Sequence, residues 1–369
     1  MGKTLPEFEE THFRKKGAAG NCLIVLSKPL IKIRFQNGLS FAGFKRDVFD
    51  VEGLAELFRF EETADADYII FGPYGNDIPP KGNYTRIGYF CENIKPDLSI
   101  CEWAFGVPRE EDVQHPNYKR IQWHGLDPRV LIKPPGNDPE KILASKTKFC
   151  NFLYSHKVPY REAFFRRLSN YKKVDAPGGS MNNMPGIDTL YQGDKWEIKR
   201  QFLSPYKFTI AFENDVFPGY QTEKLYDAMM AGSIPIYCGD PFIGDIFNTK
   251  SFINVHDFVR SGSAITKWLE KHSQSDFVDI RPQFYHNPAH RVTRNLKAKG
   301  RKLKMNLQFG NLDFGPLIDH IIALDQDDDK YLEVLRQPWF IDNKIPLNAS
   351  LKSQWLKIFK ADDDTFTNN

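Results

Sequence analysis

Cysteine is scarce in this sequence, and the cysteines that are present do not cluster. The 369 residues include five cysteines, which are widely dispersed and form no Cys-x-x-Cys pair. A disulfide framework or a cysteine-based zinc site needs paired, closely spaced residues, so this distribution disfavours both. It favours a reducing compartment instead, and we expect a cytoplasmic protein.

Long apolar runs and a strong charge imbalance are also lacking. Residues 22–26 form the longest apolar run near the N-terminus and are too few for a signal peptide or a membrane span, so we expect no transmembrane segment. The formal net charge is only +3. Because so small a charge does not by itself indicate nucleic-acid binding, we expect no nucleic-acid partner.

Three sequence signatures of common cofactor sites are absent. The chain has no Gly-x-Gly-x-x-Gly, which disfavours a dinucleotide oxidoreductase, and no Gly-x-x-x-x-Gly-Lys-Ser/Thr, which disfavours a P-loop enzyme. It also has no His-Glu-x-x-His or comparable pair, which disfavours a zinc centre. An Asp-x-Asp pattern occurs at 65–67, but it precedes a predicted strand, so we interpret it as a surface loop and not as a metal–nucleotide site.

Short apolar runs bounded by turn residues are what the sequence does contain, and they predict strands in both halves of the chain. The N-terminal half predicts strands at 31–35, 68–71, 86–91 and 98–106. The C-terminal half predicts strands at 149–153, 206–212, 234–238 and 251–255, with helices at 160–171 and from Thr222 onward. A proline-rich passage at 128–139 separates the two halves.

Strands that alternate with helices predict an α/β fold with parallel sheets and with ligands at the carboxyl ends of the strands. Because the pattern occurs in both halves, we expect two Rossmann-like domains with a cleft between them. One more amphipathic helix, at 351–359, is predicted to pack on the protein itself and not on a membrane.

One loop of the C-terminal half gathers an unusual set of polar residues just ahead of a predicted helix. They are Glu213, Asn214, Tyr220, Glu223 and Lys224. If Thr222 caps the helix, the free N–H groups of its first turn favour an anion. Lys224 opposes the helix dipole unless an anion lies beside it, and its position therefore indicates a phosphate. The alternative, a solvated helix start with a local Glu–Lys pair, stays open at this level.

The same stretch, FENDVFPGYQTEKLYDAMMAGSIPIYCGDP at 212–241, closely resembles the signature of the α-1,3-fucosyltransferases, glycosyltransferase family 10. Further similarities are GYFCEN at 88–93, YREAFF at 160–165, KKVDAPGG at 172–179 and KSFINVHDF at 250–258. Together they extend over residues 65–258. The sequence lacks the N-terminal membrane anchor and paired cysteines of animal members, so the resemblance is to the bacterial type.

The resemblance implies an activity and a domain plan. The activity is transfer of L-fucose from GDP-β-L-fucose to a hydroxyl of an oligosaccharide acceptor, expected to be O3 of N-acetylglucosamine in an N-acetyllactosamine-type glycan. The fold is GT-B, with an acceptor-binding domain at 1–145, a GDP-fucose-binding domain at 146–340 and a tail at 341–369. No cofactor is expected to be required, and Mn²⁺ or Mg²⁺ is expected at most to stimulate.

The resemblance also assigns roles to individual residues. Glu92 would be the catalytic base, with Glu102 on the next predicted strand as its rival. Arg161 and Lys224 would contact the diphosphate and stabilise the charge that develops on it. Asn214, Tyr220 and Glu223 would complete the donor site.

The sequence departs from the family pattern at 260–316, which we interpret as an insertion. Within it, residues 281–304 carry many basic side chains and no acidic one. Such a stretch is either a solvated basic loop or helix, or a surface patch for an anionic membrane or a lipid-linked glycan. The second interpretation would make the protein peripheral at the inner face of the membrane.

Two alternative functions stay open from the sequence. One is a GT-B transferase that uses another nucleotide sugar, because no readable motif names the base or the sugar. The other is a non-catalytic glycan-binding protein. Such a protein is expected to have lost Glu92, Arg161 or Lys224, and all three are present.

Overall fold

The computed structural model describes residues 28–73, 75, 77–92, 96–214, 216–258, 313–346 and 350–360, together with positions 292, 296, 299, 300 and 303. Most of the predicted insertion at 260–316 and of the basic stretch at 281–304 therefore lies outside the described residues. Contact between that stretch and an anionic membrane stays a prediction. Within the described part of the chain, no helix is long and apolar enough to cross a membrane.

The N-terminal half forms a parallel sheet with the strand order β2-β1-β3-β4-β5-β6. The strands are β1 (Leu30–Gln36), β2 (Arg59–Glu62), β3 (Tyr68–Phe71), β4 (Thr85–Phe90), β5 (Trp103–Gly106) and β6 (Tyr118–Arg120). The helical segments among them are α1 (Phe41–Phe44), a π-helical segment (Lys45–Asp50), a 3-10 turn (Leu54–Glu56) and α2 (Glu110–Val113).

The C-terminal half forms a second parallel sheet with the order β11-β10-β9-β7-β8. Its strands are β7 (Lys148–Asn151), β8 (Val174–Asp175), β9 (Tyr206–Phe212), β10 (Ile234–Cys238) and β11 (Ile253–Asn254). The helices are α3 (Pro139–Ala144), α4 (Pro159–Leu168), α5 (Ile187–Leu190), α6 (Lys195–Leu203), α7 (Glu223–Met230), α8 (Val255–Phe258), α9 (Gly315–Gln326), α10 (Asp328–Arg336) and α11 (Lys352–Ile358). Four 3-10 turns lie at Pro128–Leu131, Ile243–Asp245, Thr249–Ser251 and Ile341–Asn343.

The two central strands of the second sheet follow directly from their apolar sequence. All residues of β10 are buried, and six of the seven residues of β9 are buried. The strands pair in parallel, with Ile236 opposite Ile210. Parallel strands that are covered on both faces are typically continuous apolar runs, which is why both strands have the predicted bounds.

The last described helix, α11, packs on the N-terminal sheet. Trp355 is 0% exposed, and its ring stacks on Phe105 of β5 with the ring centroids 4.4 Å apart. Phe44 and Phe49 contact the same indole edge-on, at 5.9 and 5.7 Å. Buried aromatic pairs of this kind stabilise a core beyond the area they bury. The predicted helix at 351–359 therefore packs on the protein itself.

Some predicted elements have other bounds in the structure. The predicted strand 98–106 begins only at Trp103, because the Asp97 carboxylate accepts hydrogen bonds from Ser99 N (3.0 Å) and Ser99 Oγ (2.6 Å) and holds the preceding residues in a turn. The helix predicted at 160–171 ends at Leu168, and the strand predicted at 251–255 is reduced to β11. Among the described elements, the strands β2 and β6 and most of the helices, including α3, α6, α9 and α10, were not predicted.

The Asp-x-Asp pattern lies where the sequence placed it, in an exposed bend before β3. The side chain of Asp65 is 99% exposed, with Lys32 Nζ 3.7 Å away.

Two parallel sheets with helices between their strands confirm the predicted α/β fold class. The predicted domain bounds, 1–145, 146–340 and 341–369, stay a prediction.

Candidate active site

A cavity of about 580 Å³ lies between the two sheets. On one side its lining residues follow the carboxyl ends of β1, β4, β5 and β6, and on the other side they follow β7 and β9. The carboxyl ends of both sheets therefore face the same space. This is the usual position of a ligand site in open parallel sheets, and it is the cleft expected from the sequence.

The structure brings all six predicted site residues to this cavity. Glu92 lines it from the N-terminal half, and the others line it from the C-terminal half, namely Arg161, Asn214, Tyr220, Glu223 and Lys224. Their individual roles stay predictions.

The rival base, Glu102, is not among the residues that line the cavity. It lies at the amino end of β5 and pairs with Arg86, which is 5% exposed, at 2.6 Å. Burial acts to raise the pKa of Glu102, but the hydrogen bonds from Arg86 outweigh it and hold that pKa below its ordinary value. Glu102 is thus committed to a structural ion pair.

Arg161 is a buried cation in the first turn of α4. Its side chain is 1% exposed and donates hydrogen bonds to Asn214 Oδ1 (3.1 Å), Phe212 O (3.4 Å) and His156 O (3.2 Å). The guanidinium also lies 4.1 Å from the ring centroid of Tyr154. All these partners are neutral, the Nε atom has no partner, and no carboxylate of the described residues lies within ion-pair distance. A buried charge without a counter-ion is costly, so this position favours an anionic ligand.

Lys224 differs from Arg161 because it already has acidic partners. Its Nζ atom lies 3.1 Å from Glu213 Oε2 and 3.7 Å from Glu223 Oε1, and it donates to Thr222 Oγ1 at 2.8 Å. Burial acts to lower the pKa of Lys224, but Glu213 and Glu223 raise it above its ordinary value. Burial likewise acts against the charged form of Glu223, while Lys224 and Lys199 hold its pKa below the ordinary range. Lys224 and Glu223 are therefore both ionised at neutral pH.

The start of α7 has the predicted N-cap residue but no side-chain capping bond. Thr222 is the N-cap residue, but its hydroxyl makes no bond to the helix and donates to Glu213 Oε2 at 2.7 Å. The backbone N of Thr222 donates to the other oxygen of the same carboxylate at 2.8 Å. The predicted N-cap residue is therefore confirmed, but its hydroxyl is bonded to Glu213 and not to the helix backbone, because the carboxylate is the stronger acceptor. The anion beside this helix start in the structure is Glu213.

The N-terminal wall of the cavity carries His124 and the half-buried Glu92. The hydroxyl of Tyr89 lies 3.2 Å from His124 Nδ1. Burial raises the pKa of Tyr89, so the phenol keeps its proton. Burial also lowers the pKa of His124, so the ring is neutral near pH 7. This wall therefore offers a carboxylate and a neutral imidazole.

Two glutamines in the cavity wall were missed by the sequence analysis. Both polar atoms of the Gln221 side chain and the Nε2 atom of Gln122 are buried without a hydrogen-bond partner among the described residues. Such groups are usually satisfied by water or by a ligand. A short motif could have directed attention to Gln221, which lies between Tyr220 and Thr222, but nothing in the sequence distinguishes Gln122.

A contact between the two halves fixes the loop that carries Tyr220. Arg120, at the end of β6, donates to Gly219 O at 2.9 Å and to Asp240 Oδ2 at 3.3 Å. Asp240 is 0% exposed and accepts a bond from Gly219 N at 2.9 Å. The N-terminal sheet therefore holds this part of the donor-side wall in place.

Two parallel sheets, with a polar cavity between them and a buried cation in its wall, define an α/β protein whose cavity suits an anionic ligand. Residues 143–278 match the family described as glycosyltransferase family 10 (fucosyltransferase), C-terminal. This segment of the chain is accordingly similar to the C-terminal domain of glycosyltransferase family 10. It contains five of the six predicted site residues.

Relatives and solved structures agree with this match to a fucosyltransferase family. The chain is 39% identical over 146 residues to an α-(1,3)-fucosyltransferase of Helicobacter pylori, which is 39% of this chain and 28% of the relative. It is 33% identical over 153 residues to α-(1,3)-fucosyltransferase B of Drosophila melanogaster, which is 40% of this chain and 33% of the relative. The matches thus cover a third or less of these relatives' lengths.

A crystal structure of an α1,3-fucosyltransferase with GDP-fucose has a similar fold. The TM-score is 0.59 at 22% sequence identity, over 95% of this chain and 94% of that one. The fold of this protein is accordingly of the GT-B type, as the sequence resemblance implied.

Proposed function

We propose that the protein is an inverting α-1,3-fucosyltransferase that moves L-fucose from GDP-β-L-fucose to a hydroxyl of an oligosaccharide. We propose O3 of N-acetylglucosamine in an N-acetyllactosamine-type glycan as the acceptor group. The observation that carries the proposal is Arg161, a buried guanidinium that lines the cavity and has no carboxylate partner among the described residues. A diphosphate supplies the missing negative charge.

On the donor side, Arg161 and Lys224 would contact the diphosphate of GDP. Charge builds up on the leaving diphosphate as the glycosidic bond breaks, and positioned cations stabilise this charge more in the transition state than in the ground state. Glu223 remains ionised and offers acceptors for hydroxyl groups of the sugar. Tyr220 and Asn214 would complete the contacts around the donor.

On the acceptor side, Glu92 would act as the general base. It lies on the wall opposite the donor residues, where a carboxylate can take the proton of the attacking hydroxyl. The acceptor oxygen then forms its bond to the anomeric carbon as the bond to GDP breaks on the other face. Attack from the opposite face converts the β-linked donor to an α-linked product, which is inversion.

Two other functions compete with this proposal. A GT-B transferase for a different nucleotide sugar would use the same cationic wall with a different base or sugar. A non-catalytic glycan-binding protein would keep the fold without turnover. The contacts of Glu213 and Lys224 favour a functional donor site over a bare scaffold, because buried ionised groups are costly to keep.

Isothermal titration with GDP-fucose, GDP-mannose, UDP-galactose and NAD, followed by a turnover assay with N-acetyllactosamine, tests the proposal. We expect GDP-fucose to bind most tightly and to be consumed only when the acceptor is present. Preferential binding of UDP-galactose would instead indicate another transferase. Binding without turnover on any oligosaccharide acceptor would indicate a glycan-binding protein.

A further inference from the structure

Glu213 is a buried acidic residue on the side of the cavity where the proposed function places a diphosphate. It follows β9 directly, and its side chain is 0% exposed. Its backbone N donates to Cys238 O at 2.7 Å, so the main chain is fixed to β10. A carboxylate repels phosphate, and its presence so near a phosphate site needs a physical reason.

The contacts of Glu213 supply that reason, because both carboxylate oxygens are used. Oε1 accepts from Thr222 N at 2.8 Å, and Oε2 accepts from Thr222 Oγ1 at 2.7 Å and from Lys224 Nζ at 3.1 Å. The hydroxyl of Thr222 in turn accepts from Lys224 Nζ at 2.8 Å. The carboxylate therefore fixes the lysine ammonium both directly and through a bridging hydroxyl.

The chain makes room for this carboxylate at one particular glycine. A Cβ atom at Gly239 would lie 2.6 Å from Glu213 Cγ and 2.5 Å from the hydroxyl of Tyr237. Carbon atoms of this kind do not approach so closely, so a side chain at 239 would displace Glu213. The position of the carboxylate is thus built into the β10 turn as well as into α7.

Lys224 depends on acidic partners for its charge, because burial and a neighbouring cation both act against the protonated form. It is buried, which favours the neutral amine, and Arg161 adds a like charge that acts in the same direction. Glu213 and Glu223 oppose both effects. Glu223 is also shared with Lys199, which lies 3.8 Å away. Glu213 is therefore the acidic group that is committed to Lys224.

We propose that Glu213 is a positioning residue, whose buried carboxylate holds the Lys224 ammonium charged and in place before the nucleotide diphosphate arrives. The proposal rests on the proposed function, since it assumes that Lys224 contacts that diphosphate. Glu213 itself is fully buried and is not among the residues that line the cavity.

GDP affinity as a function of pH tests this role. Isothermal titration with GDP is carried out from about pH 7.5 to about pH 9.5, below the ordinary pKa of lysine, on the wild type and on three variants. These are Glu213→Gln, Lys224→Arg and the double variant. The glutamine keeps an acceptor for Thr222 N but removes the negative charge. Arginine stays protonated over the range, so the Lys224→Arg series gives the baseline for proton loss by the guanine base.

The expected dependence of GDP affinity on pH differs between the variants. Wild-type affinity should follow the Lys224→Arg baseline across the range. In Glu213→Gln the buried lysine loses its proton, so GDP affinity should fall at least about tenfold relative to that baseline as the pH rises. The GDP affinity of the double variant should again follow the Lys224→Arg baseline, because the arginine at position 224 does not lose its proton in this pH range.

Several results would overturn the proposal. One is a Glu213→Gln affinity that is reduced equally at every pH, which is what a purely structural role predicts. If Glu213→Gln does not fold, the comparison of the wild type with Lys224→Arg still tests the proposal. A wild-type GDP affinity that falls below the Lys224→Arg baseline as the pH rises would show that Lys224 is not held charged. Failure of the wild type to bind GDP at any pH would contradict the proposed function itself, which is a separate outcome.

Discussion

At the scale of single residues, two glutamates of the N-terminal half show how position along a strand determines chemistry. Glu92 follows the carboxyl end of β4 and lines the cavity, while Glu102 precedes β5 and is held by Arg86. Both were candidates for the base on sequence grounds. Of the two, only Glu92 lines the cavity.

We expect Glu92→Gln to lower turnover by about 10²–10⁴, which is the usual contribution of a positioned base. GDP-fucose affinity should change by less than about threefold, since glutamine keeps the shape of the side chain and the donor contacts lie in the other half. Steady-state kinetics together with titration calorimetry measure both quantities.

Two matched variants serve as controls for Glu92→Gln. Glu102→Gln weakens a structural ion pair, so it should lower the melting temperature and leave turnover near the wild-type value. Glu162 is next to Arg161 in the chain, and its carboxylate accepts a hydrogen bond from Ser180 Oγ at 2.9 Å. Glu162→Gln alters this bond and should have little effect on catalysis. An inactive Glu102→Gln with a normal Glu92→Gln would refute the base assignment.

The two proposed diphosphate contacts should respond differently to truncation. Arg161→Ala and Lys224→Ala should each weaken donor use by roughly 10- to 150-fold, because each removes a charge-assisted contact of about 1.5–3 kcal/mol. Lys224→Ala also leaves the Glu213 carboxylate buried without its cation, so it should lower the melting temperature more than Arg161→Ala. Donor KM and thermal unfolding of both variants are the measurements. Near-wild-type kinetics in a folded variant would show that the phosphates bind elsewhere.

At the scale of elements, the loop 216–221 depends on one glycine. Gly219 has φ of +85°, and a Cβ there would lie 2.8 Å from Val107 O, across the contact between the two halves. Gly219→Ala should therefore displace Tyr220 and weaken GDP binding. Gly136→Ala is the matched control, because Gly136 has φ of +83° but nothing within 4 Å of a Cβ.

The two glycine variants separate backbone strain from the contact between the halves. Both should be destabilised by about 1–2 kcal/mol through the left-handed backbone conformation. Only Gly219→Ala should also lose GDP affinity in titration calorimetry. Equal GDP affinity in the two variants would mean that the contact with the N-terminal half does not position Tyr220.

The sequence predicted the apolar strands well because their burial is visible in composition. The bounds of β3, β9 and β10 match the predicted ranges, since each is a short apolar run with turn residues beyond it. Strand β6 could not be predicted in this way. It has only three residues, two of them basic, and it forms because it pairs with β5.

The candidate site was predictable in its members but not in its contacts. A motif places Glu213, Thr222 and Lys224 near each other along the chain. It cannot show that the carboxylate folds back onto the helix start, because this depends on how closely β10 approaches at Gly239. Residues outside any motif, such as Gln122, can be recognised as part of the site only from the folded structure.

At the scale of the whole molecule, the cavity wall carries Arg161 and Lys224, which are the proposed partners of the donor diphosphate. We expect donor binding and fucosyl transfer to persist in excess EDTA, because Arg161 and Lys224 would neutralise the diphosphate. An assay of transfer with and without EDTA, followed by addition of Mn²⁺, tests this. Modest stimulation by Mn²⁺ agrees with the expectation, whereas complete loss in EDTA that Mn²⁺ restores would contradict it.

The position of α11 has a consequence for synthesis on the ribosome. The core of the N-terminal sheet includes Trp355, which contacts Phe105, Phe44 and Phe49. That core therefore stays incomplete until nearly the whole described chain has left the exit tunnel, although its own strands emerge first. The core of the C-terminal sheet extends along the chain only to Phe340, so it is complete earlier. The order in which the halves mature during translation should thus be the reverse of their order in the sequence.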